Sequence, residues 1–202
     1  MNIEELNTAL SQIFASDDLL KNEPMSKHTT FRRGGPAQFF VRASNAADIT
    51  AAISAAEKAD APWWIVGCGS DLLVSDAGLP GVVIEIGKRM AHISIDGSVV
   101  QAQAGATNEA VAQAALEAGL TGYEFASGIP GSIGGAAIMN AGAYDGEFKD
   151  VAVSVSCLFP DGTVREIPAE EADWSYRHSM MSDEGLVVLG ATLQLAAGSK
   201  DD

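Results

Sequence analysis

Five glycines, Gly128, Gly131, Gly134, Gly135 and Gly142, fall within the 18 residues Ser127–Tyr144, among Ile129, Ile133, Ile138 and Met139. No other stretch so restricts what the chain can fold into. A flexible linker of this glycine content would be polar, with serine in place of the apolar residues. Regular helix or strand is disfavoured, because each interior glycine costs backbone entropy and removes a packing side chain. The composition therefore predicts a buried, irregular loop. Buried loop backbone must find hydrogen-bond partners, and either close packing against another part of the chain or a polar, bulky ligand can supply them.

Around this segment the pattern is mixed α and β. The N-terminal run reads as a short amphipathic helix within residues 1–21. Asn45 is a candidate N-cap for a helix reaching Asp60, with Ile49, Ile53 and Ala56 on one face and Pro62 beyond its end. Trp63–Val66, Leu72–Val74 and Val82–Ile86 read as strands, with Gly78, Pro80 and Gly81 as turn residues between the last two. This favours an α/β subdomain over residues 22–88. In residues 89–198, alternation on either side of Asp96-Gly97 and of Asp161-Gly162 predicts two hairpins. A helix is expected from Thr107 to Ala118 with Gly119 as its stop. Acidic Glu170, Glu171 and Asp173 suit a short helix start, and Leu186–Leu195 a last strand. This part is α+β with antiparallel strands. Gly198–Asp202 reads as a polar tail.

Two further segments carry chemistry. Gly67-Cys68-Gly69-Ser70-Asp71 lies between predicted strands. Its glycines allow a tight turn and close ligand approach, and successive N–H groups in such a turn can form an anion nest. It is neither a lysine-bearing phosphate loop nor a dinucleotide G-x-G-x-x-G. Taken alone, it fits an ordinary tight turn as well as a phosphate cradle. Tyr176-Arg177-His178-Ser179 fits either an ordinary helix end with an exposed arginine or a guanidinium aimed at a carboxylate or developing enolate.

The charge balance narrows the partners. The formal net charge is −15 over 202 residues, which gives no attraction for nucleic acid or anionic membranes. An anionic ligand would have to be held locally. Cys68 and Cys157 are far apart, and His28, His92 and His178 show no ligand spacing. No metal site or disulfide framework is therefore read, and a reduced, cytoplasmic setting is expected. No apolar run approaches the length of a membrane span.

Taken together, the segments resemble the UDP-N-acetylenolpyruvoylglucosamine reductase family. The residues that carry the resemblance are Thr29-Thr30-Phe31 with Gly34-Gly35-Pro36, GCGSDLLV at 67–74, GIPGSIGGAAIMNAGAY at 128–144 and YRHS at 176–179. The glycine string is the most specific and is similar to the family's type II variant. The resemblance runs from about Asn22 to Leu195. It implies a flavin-binding fold of the p-cresol methylhydroxylase type in two subdomains, with FAD held non-covalently between them. Gly67, Cys68, Gly69, Ser70, Asp71 and Leu72 would hold the pyrophosphate. Gly128, Ile129, Pro130, Gly131, Ser132, Gly134, Gly135, Ala136, Asn140, Gly142, Ala143 and Tyr144 would line the flavin.

The implied reaction uses NADPH to reduce the flavin, which then passes hydride to UDP-N-acetylglucosamine enolpyruvate in peptidoglycan precursor synthesis. Arg177 would stabilise the enolate. The chain departs from the family pattern at Asp71, where asparagine is usual, and at Asp145, where glycine is usual. The family's proton-donating serine and a catalytic glutamate belong to a third, substrate-binding domain, which is expected to be missing here, with full turnover lost. Two other readings remain: a different flavin oxidoreductase of the same superfamily, and a non-enzymatic module that keeps the fold without cofactor. The joint presence of the glycine string and YRHS favours the reductase.

Overall fold

Residues 1–198 are described by the structure, a computed structural model, and Ser199–Asp202 of the expected tail lie outside them. The backbone divides into two compact units, Met1–Arg89 and a second that begins at Met90.

In the first unit, helix α1 (Ile3–Ile13) is capped by Asn2, buries Leu6 and Leu10, and packs on the later helix of the same unit. Strands β1 (Leu19–Pro24) and β2 (Pro36–Arg42) follow, neither of them evident from the sequence pattern. Helix α2 (Ala46–Lys58) starts at Asn45, whose side chain accepts from the Asp48 N–H at 3.0 Å. Its inner face is Ile49, Ala52, Ala55 and Ala56, while Ile53 is only half-buried. With β3 (Trp63–Val66) and β4 (Leu79–Glu85) the strands form one sheet in the order β1-β2-β4-β3. The β1–β2 pair is antiparallel, and β2–β4 and β3–β4 are parallel. Phe40, Val83 and Met25 are fully buried in the core of this unit.

Leu72–Val74 is not a strand. Because β3 and β4 run parallel as neighbours, the chain between them must travel back along the sheet, which a hairpin cannot do. Residues 67–78 make that return as an extended loop. It is tied down by the Gly35 N–H to Ser75 O bond at 2.9 Å and by buried Val74, while Leu73 stays 79% exposed.

The second unit is built on a five-stranded antiparallel sheet. Strands β5 (Ile93–Asp96) and β6 (Val99–Gln103) form the first expected hairpin, closed by Gly97-Ser98. Helix α3 (Asn108–Glu117) has Thr107 as its N-cap, and Gly119 follows at φ +69°. Short β7 (Leu120–Thr121) leads to helix α4 (Ile133–Met139) and the ribbon of β8 (Gly142–Ala143) and β9 (Gly146–Glu147). Strands β10 (Ala152–Leu158) and β11 (Val164–Pro168) make the second hairpin. The acidic stretch expected to open a helix forms only a 3₁₀ turn, Ala169–Glu171. A one-turn helix α5 (Met180–Asp183), β12 (Val187–Gln194) and β13 (Ala196–Ala197) complete the unit. The sheet order is β11-β10-β12-β6-β5. Strand β13 pairs with β7 and the Gly198 N–H bonds Gly119 O at 2.9 Å, so the chain at Gly198 is anchored and not a loose tail.

Candidate functional site

The glycine segment is only partly irregular. Its middle, Ile133–Met139, is the helix α4, which its glycine content argued against. Tertiary contact explains the reversal. The Gly134 N–H donates to Ala104 O at 2.9 Å, and a Cβ on Gly134 would lie 3.1 Å from Ala104 Cβ. The helix is pressed so closely against the end of β6 that a larger residue is crowded there, and burial of Ile133, Ala136 and Ala137 outweighs the weak propensity.

Gly135, one residue on, faces the other way. It is exposed, and nothing lies within 4 Å of the position its Cβ would take; the same holds at Gly128. At both positions a flat group can meet the bare backbone. Ile129 and Gly131 are set from behind. Asn108, 1% exposed, donates from Nδ2 to Ile129 O at 3.3 Å and from its N–H to Gly131 O at 3.1 Å, and accepts from the Tyr123 hydroxyl at 3.0 Å. Burial pushes the Tyr123 phenol well above its ordinary range, so it is a permanent donor. Neither Asn108 nor Tyr123 stands out in the sequence, where each is an unremarkable polar residue near a helix.

At the C-terminal end of α4, the structure joins the glycine segment to the Tyr176–Ser179 segment. The last carbonyls of a short helix have no partners within it. Here the Trp174 indole N–H donates to Ala137 O at 2.7 Å and the Ser179 hydroxyl to Ile138 O at 2.7 Å. Asn140, at φ +43° and 4% exposed, donates through Nδ2 to Glu147 Oε2 at 2.9 Å and to Ser175 O at 3.2 Å. Its Oδ1 accepts from the Lys149 N–H at 3.0 Å. The amide of Asn140 is thus bonded within the protein on both its nitrogen and its oxygen.

Arg177 projects from a tight turn, not from a helix end. Ser175 and His178 exchange backbone bonds of 3.2 and 3.3 Å across it, and Arg177 itself takes φ +56°. Ser179 is fully buried as the N-cap of α5, accepting from the Ser182 N–H, so its role is structural. His178 pairs with Asp183 at 2.9 Å, which raises its pKa, with a smaller push from the Asp173 carbonyl. Tyr144 and Asp145, at φ +50° and +65°, form the two-residue loop between β8 and β9, a twist that suits residues tolerant of left-handed backbone. Tyr144 is 90% exposed.

In the first unit, Gly69 is buried at φ +61°, with Cys68 and Asp71 exposed and Gly67, Ser70 and Leu72 half-buried. A Cβ on Gly69 would lie 2.0 Å from the His28 carbonyl oxygen. Glycine is therefore demanded here by the chain's own residues 28–30, before any ligand is considered. The Thr30 N–H donates to Gly69 O at 3.1 Å and its hydroxyl to Ser70 O at 3.4 Å. Among the described residues, no group of three His, Cys, Asp or Glu side chains could hold a metal ion, and no helix is long and apolar enough to cross a membrane.

The second unit presents open glycine backbone at Gly128 and Gly135 on an antiparallel scaffold, and the first carries a glycine turn on a mixed sheet. The chain belongs to the FAD binding domain family, whose pattern matches residues 37–168. Among curated proteins it is similar to UDP-N-acetylenolpyruvoylglucosamine reductases. That of Agathobacter rectalis is 45% identical over 91% of this chain, and that of Clostridioides difficile 38% identical over all of it. The chain spans 62% and 66% of the length of these two relatives. The crystal structure of the reductase from Thermus caldophilus superposes with a TM-score of 0.75 at 30% identity, over 91% of this chain and 64% of that one. p-Cresol methylhydroxylase shares the fold, with a TM-score of 0.72 at 13% identity over 96% of this chain.

Proposed function

We propose that this chain is the FAD-binding part of an NADPH-dependent reductase of UDP-N-acetylglucosamine enolpyruvate, working in the cytoplasm on peptidoglycan precursors. The observation that carries this reading is the joining of two motifs. The open-faced glycine helix and the Arg177 turn are locked together by Trp174, Asn140 and Ser179, and the likeness to the reductases extends through both segments.

When bound, FAD supplies the hydride chemistry. The residues of this chain hold and orient it. Gly128 and Gly135 leave room for a flat ring against the backbone, and the turn at Gly67–Asp71 offers backbone to the phosphates. Arg177 carries a guanidinium, permanently charged, that can stabilise negative charge developing on a substrate oxygen. Because its turn is pinned before substrate arrives, that charge needs little reorganisation during reaction.

The purified protein is expected to show a flavin absorption spectrum after incubation with FAD. Acid precipitation should release the flavin to the supernatant, since neither Cys68 nor the histidines lie in an attachment motif. Reduction of the bound flavin by NADPH should be visible as bleaching of its absorbance. A protein that is folded by circular dichroism but takes up no flavin would overturn the proposal.

A further inference from the structure

We propose that His28 is a positioning residue for the Gly67–Asp71 turn, its imidazolium locking the backbone shelf on which that turn rests. The shelf is residues 28–30. The His28 carbonyl closes against Gly69, leaving no space for a Cβ, and Thr30 binds the carbonyls of Gly69 and Ser70. What fixes the shelf is the His28 side chain, which is 11% exposed and reaches three neighbouring strands. Nε2 is 3.1 Å from Glu23 Oε1 on β1, Nδ1 is 3.5 Å from Glu85 Oε1 on β4, and the ring lies on Phe40 of β2 with centroids 4.1 Å apart.

A neutral imidazole has one N–H. With a carboxylate at each nitrogen, it would turn a lone pair on one of them. The cationic ring donates to both, so the arrangement selects the protonated form. The remaining charges facing the cluster are Lys27, 3.2 Å from Glu23, and Arg42, 3.6 Å from Glu85. The carboxylate of Glu85 and then that of Glu23 raise the His28 pKa against the opposing effect of burial. Burial alone would raise that of Glu23, but His28 and Lys27 outweigh it and the pKa is lowered. With the folded pKa of His28 above its unfolded value, the lock is complete below histidine's ordinary pKa and is lost as pH rises through the raised value.

The consequence for ligand binding rests on the reading that the turn receives FAD phosphates, so two measurements are paired. FAD affinity, followed by flavin fluorescence between about pH 6 and 9, a window that opens near histidine's ordinary pKa and runs upward in the direction of the shift, should fall with rising pH in the wild type. His28→Phe keeps the stacking ring and removes both N–H donors. Its affinity at the acid end of that range should be weaker by roughly tenfold, the scale of lost charge-assisted bonds, and flat across the range. Glu85→Gln should retain the pH dependence with a lowered midpoint, and it serves if His28→Phe does not fold.

Without ligand, the exposed thiol of Cys68 reports on the turn, while Cys157 is buried and its thiol is pushed up to about 12. Reaction of Cys68 with an aromatic disulfide near neutral pH should be several-fold faster in His28→Phe than in the wild type. If FAD fails to bind but Cys68 still responds, the positioning role stands and the ligand reading falls. An unchanged Cys68 rate in both variants, or an unaltered pH profile in folded His28→Phe, would overturn the proposal.

Discussion

Gly135→Ala is expected to stabilise this protein and to weaken its hold on FAD. Gly135 lies inside α4 with helical backbone, is exposed, and has nothing within 4 Å of the place an added methyl would occupy. Alanine there meets no atom of the chain and restricts the unfolded state, a change worth about 0.5–1 kcal/mol. The same methyl fills the face on which a flavin ring would lie. Forcing a methyl into a close-packed contact costs about 1–3 kcal/mol, or roughly a tenfold loss of affinity or more. Gly134→Ala is the internal control, expected to give no gain in stability. Its Cβ would sit 3.1 Å from Ala104 Cβ and 3.3 Å from Ala104 O. Ala104 cannot retreat easily, because its N–H is bonded to Leu189 O and its carbonyl to the Gly134 N–H, both at 2.9 Å. The overpacking should cancel or exceed the propensity gain. Urea unfolding of the ligand-free proteins and fluorescence titration with FAD read the two effects separately. A Gly135→Ala protein that is less stable than wild type, or that binds FAD unchanged, would refute the assignment of an open, ligand-facing side to this helix.

Three further substitutions test the scaffold. Gly69→Ala must move the His28–Thr30 shelf away from a 2.0 Å approach and hold a non-glycine residue at φ +61°; a loss of about 2 kcal/mol or more is expected in urea unfolding, with reduced FAD retention. Asp145→Gly relieves a left-handed backbone at φ +65° in the β8–β9 loop and should raise the unfolding midpoint by an amount equivalent to a few tenths of a kcal/mol up to about 1. Ser179→Ala leaves the Ile138 carbonyl without its 2.7 Å partner and removes the cap of α5. That should cost about 1–3 kcal/mol and speed amide hydrogen exchange at Ser175 and His178, with no change expected in the Asp161-Gly162 hairpin.

Where order in this chain is local, the sequence alone was enough to read it. The Asn45 cap, the helix that ends at Gly119 and the hairpins around Gly97 and Gly162 depend on side chains and backbone preferences within a few residues of each other, and the structure has them. The motifs also pointed to the family without reference to contacts. What distant partners decide was not legible. Leu72–Val74 has strand composition, yet the parallel pairing of β3 with β4 makes it a return path. Strand β2 and the shelf under Gly69 depend on partners some 40 residues away along the chain. Asn140 reads as a ligand contact in its motif, but Ser175 and Glu147 take up its amide. Gly134 and Gly135 are adjacent and identical in sequence, and only the fold tells them apart. One backs onto Ala104 and the other onto open space, because a helix turns by about 100° per residue and its two sides therefore meet different surroundings.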